Sequence, residues 1–207
     1  QFDIEAFDLH VIYSNLSTDK QPDVQCDALE LSFVDDCFDA VVCSEVLEHV
    51  QEPAIALREA SRVLKDGGKL LVCAPFLYPI HGDPCDYGRY TPEWWGHVLA
   101  TAGFEEIQIE KQGLFWCVLV DMVRHFAAEM RLRGRPGRRI YRRCVDAAMA
   151  WAKRKALEWD SISGRSEDPA FGSFTTGFGI TATKPASELA ARENVPQDRE
   201  SKSSDPI

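Results

Sequence analysis

The sequence predicts an open α/β sheet of mainly parallel strands, and three observations carry that prediction. The compact apolar runs "FDAVVCS" (38–44) and "KLLVCAP" (69–75) lack strict alternation, as strands buried on both faces do. Between them, "EPAIALREASRVLKDGG" (52–68) places Ala54, Leu57, Ala60, Ser61 and Leu64 at helical spacing. A second helix and strand follow at "TPEWWGHVLATAG" (91–103) and "FEEIQIE" (104–110). This β-α-β-α-β rhythm is that of helices crossing over a parallel sheet.

Each element has its local reason. "LHVIYSN" (9–15) and "PDVQCDA" (22–28) are apolar enough for short strands. Pro53 suits the first turn of the 52–68 helix, and Gly67-Gly68 are read as its stop. Thr91 is placed to cap the next helix, with Pro92 at its first position, Glu93 in its first turn and Gly103 at its end. Residues 114–160 read as two helices, roughly 114–132 and 138–159, broken by "RGRPG", before "FTTGFGITATKP" (174–185) returns to strand pattern. Connections in compact domains usually run ~2–6 residues, so 114–170 is read as a helical, basic insertion. The core is then residues 1–113 and 171–185, and the polar stretch 186–207, without aromatics, is read as a disordered tail.

Composition excludes several classes. At 207 residues and 45% apolar content the chain can form one ordinary core. A net charge of −10 argues against general nucleic-acid binding. The charge is uneven, for residues 124–155 hold eleven Lys/Arg against Glu129 and Asp146 only. Seven cysteines with no C-x-x-C pair argue against a disulfide framework or zinc ribbon and for a reducing, cytoplasmic compartment. The apolar run "LFWCVLV" (114–120) falls far short of the ~20 residues of a membrane-spanning helix.

The block "CDALELSFVDDCFDAVVCSEVLEHV" (26–50) holds the first candidate site, because ligands of open α/β sheets sit beyond the carboxyl ends of the strands. Asp27 there either receives an adenine amino group or simply caps a turn. With "REASRVLKDGGKLLVCAPF" after it, the block resembles the class I S-adenosylmethionine-dependent methyltransferases, and among them the methyltransferase type 11 family. The resemblance implies a Rossmann-like sheet whose last strand is antiparallel, with S-adenosyl-L-methionine as cofactor. It implies adenine contacts at Asp27, Ala28 and Leu29 and contacts near the methionine part at Ser44 and Glu45. The ribose-gripping position of the family falls on Asn15, with Asp8 as its substitute if the register slips. The family's glycine-rich first loop has no counterpart in residues 1–66, since the first glycine is Gly67. A chain lacking the first strand and loop explains this, and so does a degenerate fold that no longer binds the cofactor.

The decapeptide "HGDPCDYGRY" (81–90) follows the strand at 69–75. Metal ligation by His81, Asp83, Cys85 and Asp86 would need four ligands in one tight loop, with no second cluster to complete them, so no metal is expected. In the methyltransferase frame the loop overhangs the methyl donor. His81 is then the candidate base, oriented by Asp86. His49, expected on a helix face shared with Glu45, is a further candidate, against the alternative of an ordinary surface histidine. Arg89 offers a fork for an anionic substrate group, and Tyr87 and Tyr90 offer rings for a sugar. For Arg89 and Tyr90 a structural clamp on the following helix is the other reading. The expected activity is methyl transfer, at oxygen, to a small-molecule or glycan acceptor. The alternative is a non-catalytic module binding an anionic partner or membrane surface through the basic stretch 131–155, with membrane-peripheral placement.

Overall fold

The computed structural model describes residues 9–82, 85–129, 138–162 and 164–186. Its centre is a four-stranded sheet of β3 (Phe38–Ser44), β4 (Leu64–Pro75), β6 (Gly177–Thr183) and β5 (Glu105–Gln112), in that order. β3 and β4 pair in parallel, with Ala40 opposite Lys69 and Ser44 opposite Cys73. β6 runs antiparallel to both β4 and β5, so three strands share one direction and the last in sequence opposes them. The α/β class and the antiparallel final strand therefore agree with the sequence-based expectation.

Helices α1 (Pro53–Val63) and α2 (Pro92–Thr101) supply the apolar stripes that cover this sheet. Leu57, Leu64, Leu70, Trp95 and Leu99 have no exposed surface and form the centre of the core with Val72 and Ile180. Burying each of these aliphatic side chains is worth ~1.5–3 kcal/mol. The Thr91 hydroxyl accepts from the Trp94 backbone N–H, Pro92 opens the first turn, and Gly103 takes a φ of +90° just beyond the end. Local sequence and structure agree completely in that helix.

Three expectations are corrected. The first helix stops at Val63, not at the glycines, because Leu64 turns extended, is fully buried and pairs with Phe38. The freed carbonyls of Arg62 and Val63 accept from Asp36 and Cys37 N–H groups. Gly68 instead serves a tight bend in β4, where a Cβ would lie 2.7 Å from the Lys65 carbonyl oxygen. No α-helix starts near Ser44: β3 ends there, Glu45 adopts a left-handed φ of +54°, and Leu47–His49 make a single 3-10 turn. Glu45 and His49 therefore share no α-helical face. The strands expected at 9–15 and 22–28 shrink to β1 (Ser14–Asn15) and β2 (Val24–Gln25), which pair in parallel only with each other. Leu9, Val11, Ile12 and Tyr13 stay exposed, so the apolar run has no face to pack against among the described residues.

Between β5 and β6 lie α3 (Phe115–Glu129), α4 (Arg138–Asp160) and the short α5 (Pro169–Gly172). The buried Asp160 carboxylate, at the end of α4, accepts from the backbone N–H groups of Leu114, Trp116 and Cys117 at 2.9–3.2 Å. It thus caps the start of α3 from 43–46 residues away. Lys153 and Asp121 pair farther along the same two helices at 2.5 Å. No described helix is long and apolar enough to cross a membrane. The stretch 130–137 of the basic segment and the expected tail from 187 onward lie outside the described residues.

Candidate active site

A cleft of about 820 Å³ runs along β3 from Phe38 to Cys43 and past its carboxyl end to Glu45 and His49, a volume suited to a cofactor-sized ligand. Asn15, Asp27, Ala28, Leu29, Glu45 and His49 all line it, and Tyr87 enters from the opposite rim. Ser44 is not a lining residue; it stays in β3, in register with Cys73. Asp8 lies outside the described residues.

The side chains at the near end are partly committed to local turns. Asp27 Oδ1 accepts from the Leu29 N–H at 2.9 Å, so the turn-cap reading of Asp27 holds for one oxygen. Asn15 Oδ1 accepts from Ser17 N–H, and its amide donates to the Tyr13 hydroxyl, both at 2.9 Å. Glu45 is fixed differently, through a backbone N–H donated to the Cys73 carbonyl at 2.9 Å. Its left-handed backbone costs a non-glycine residue of order 1–2 kcal/mol. Burial, then the neighbouring Glu48 charge, raise the Glu45 pKa, while His81, Arg89 and His49 act in the other direction.

The far side is built by the loop before α2. The Asp86 carboxylate is 5% exposed and grips the Arg89 guanidinium at 2.5 and 2.8 Å. It also accepts the His81 backbone N–H at 2.9 Å and lies 3.5 Å from His81 Nδ1. The hydrogen bond from Arg89, above all, lowers the Asp86 pKa to about 2 against the penalty of burial. Asp86 therefore does sit beside His81. Arg89 does not offer its fork to a substrate: both terminal nitrogens are taken by Asp86, and backbone carbonyls of Gly88 and Pro79 add to the hold. Tyr90 is likewise structural, stacked on Trp94 at 4.0 Å and packed against the core, while Tyr87 remains half exposed.

Two residues missed in the sequence complete this side. Glu48 is 1% exposed although it sits between the two candidate histidines, 3.7 Å from His49 Nε2 and 4.0 Å from His81 Nε2. Its carboxylate between Leu47 and His49 in the largely apolar "VLEHV" was the available signal. His125 on α3 packs edge-on against Tyr78, which in turn packs edge-on against His81, so α3 reaches the site. Of the four loop residues weighed as metal ligands, Cys85 is exposed at the cleft and Asp83 lies outside the described residues. His81 faces Glu48 and His49 instead.

Part of this frame has a family match. Residues 3–72 match the family model described as a methyltransferase domain. A demethylmenaquinone methyltransferase of Renibacterium salmoninarum is 41% identical over 83 residues, 39% of this chain and 35% of that protein. One from Mycobacterium tuberculosis is 52% identical over 54 residues, 26% of this chain and 23% of that protein. The matched stretch thus spans about a third or less of the length of these curated relatives. Among solved structures, a SAM dependent methyltransferase from Archaeoglobus fulgidus aligns with a TM-score of 0.48 at 16% identity, over 83% of this chain and 74% of that one.

Proposed function

We propose that the chain forms part of an S-adenosylmethionine-dependent methyltransferase acting on a small-molecule or glycan acceptor, at oxygen. The observation that carries this reading is the convergence of Asp27, Ala28, Leu29 and Glu45 on one cleft that His49 also lines, with the His81 ring edge-on against His49. Asp27 and the 28–29 backbone suit an adenine, and the Glu45 carboxylate suits the cationic end of the cofactor. Methyl transfer from a sulfonium is an in-line displacement, so holding donor and acceptor in line supplies much of the rate, with effective molarities of ~10⁵–10⁸ M for aligned reactants. An attacking hydroxyl must also lose its proton, and His81, seated on Asp86, or His49 can receive it. The name of the relatives supports a small-molecule acceptor, and the half-exposed Tyr87 ring on the rim suits a sugar or ring. The seven unpaired cysteines support a cytoplasmic setting.

Calorimetric titration with S-adenosylhomocysteine tests the donor half. Weak affinity is expected, because no glycine loop lies in residues 1–66. Asp27→Ala and Glu45→Ala should each weaken binding about tenfold with little change in melting temperature. Indifference of both variants overturns the reading. For the acceptor half, His81→Ala should cut methyl transfer ~10²-fold or more in a preparation that retains cofactor binding.

A second reading draws on the α3–α4 surface, where Met122, Phe126, Trp151 and Trp159 are exposed. With the basic composition of the sequence over 131–155 they suit an anionic membrane surface. Co-sedimentation with anionic but not neutral vesicles, reduced by Phe126→Ser with Trp151→Ser, is the expected result.

A further inference from the structure

We propose that Glu48, His49 and His81 form a binding site for a divalent first-row transition-metal cation on the wall between the cleft and the acceptor loop. Their ligand atoms lie within 4.8 Å of one another, and both imidazole Nε2 atoms face the same Glu48 Oε1. Neither Glu48 oxygen has a hydrogen-bond partner among the described residues, although the side chain is almost fully buried. A buried carboxylate without partners is strongly unfavourable, and a cation is the compensation that matches its surroundings.

The opposite ring nitrogens explain why the site suits a cation. His49 Nδ1 lies 2.5 Å from the Cys85 carbonyl oxygen, and His81 Nδ1 lies 3.2 Å from that of Pro79. A carbonyl only accepts, so each Nδ1 carries the proton, and in its neutral form each ring turns an Nε2 lone pair toward Glu48. Two lone pairs and a carboxylate then converge with nothing positive between them. Metal-bound histidines are oriented in this manner, the far nitrogen donating to a carbonyl or carboxylate, and Asp86 Oδ2 stands 3.5 Å from His81 Nδ1 as well. With metal–ligand bonds near 2.1 Å, tetrahedral donors stand about 3.4 Å apart. The observed 3.7 and 4.0 Å need a closing of about 0.3 and 0.6 Å, and the two imidazoles, whose ligand atoms lie within 4.8 Å of each other, draw together with them.

Two nitrogens and one carboxylate suit zinc, manganese or iron(II) and leave coordination positions open. That an acceptor oxygen takes one of them rests on the methyl-transfer reading; the binding of the cation does not. The histidines would then be ligands rather than bases, and the cation would lower the acceptor's proton affinity.

The test titrates the chelator-stripped chain with manganese(II), read by the loss of the free-ion paramagnetic resonance signal and by calorimetry, and repeats it with zinc(II). One site of micromolar affinity is expected, weakened at least tenfold in Glu48→Gln and in His81→Ala. Excess manganese should raise the wild-type melting temperature by several degrees and leave that of Glu48→Gln unmoved. In chelator, Glu48→Gln should melt above wild type, which shows that it folds. The absence of stoichiometric binding, or binding that neither variant weakens, overturns the proposal. Cofactor affinity measured on the same samples separates the two readings: its loss with manganese binding intact removes the methyl-transfer reading alone.

Discussion

The two sides of the cleft are built to different standards. The near side, from Asn15 to Leu29, rests on two-residue strands and on side chains bonded to neighbours two residues away. The far side, from His81 to Tyr90, is a network in which Asp86 holds Arg89 and His81 while Tyr90 is locked on Trp94. One side can adjust around a ligand, whereas the other is shaped before any ligand arrives. Pre-shaped groups lose little entropy on binding, so the far side is the natural seat of acceptor positioning.

Substitutions that strike the far network should show this contrast most strongly. Asp86→Ala leaves the Arg89 guanidinium, 19% exposed, without its partner and should cost ~3–5 kcal/mol in urea unfolding. Acid should reach the same network. The Asp86 pKa drops from its ordinary 3.8 to about 2, so the associated stability is complete above the unfolded value and is lost as pH falls from about 4 through 2. That loss is ~2 kcal/mol, and Asp86→Asn should abolish this part of the pH dependence. On the near side, Asp27→Ala removes one turn cap and should cost only about 1 kcal/mol. A large loss of stability there would erase the contrast. The smallest effect is expected at the boundary, where Glu45→Gly should stabilise by under ~1 kcal/mol, since relief of the left-handed backbone is partly offset by the entropy of an unfolded glycine.

What the sequence disclosed follows the range of the interactions involved. Helix α2 was legible to its caps because Thr91, Pro92 and Gly103 act on their own neighbours. The strands of the main sheet were legible from their apolar runs. The gathering of Asp27, Ala28, Leu29 and Glu45 was legible only through a family resemblance. The stop of α1 was misplaced because burial of Leu64 against Phe38 overrides the pull of two later glycines. Asp160 was invisible as a cap because its partners lie 43–46 residues away. For Arg89 the sequence leaves open both a fork for a substrate and a structural clamp, and the carboxylate three residues before it is the nearer partner. Glu48 escaped notice because burial of a charge is decided by the loop that covers it, here the segment whose Tyr87 N–H donates to the Glu48 carbonyl at 2.7 Å.

The left-handed Glu45 has a consequence for how such a protein would drift under selection. Glycine is the residue its backbone geometry favours, and the cleft-facing carboxylate is what glycine would remove. A library screened only for survival of heating should accumulate glycine at position 45, and one screened for ligand retention should keep the acid. The position would then report which pressure a population of variants had experienced.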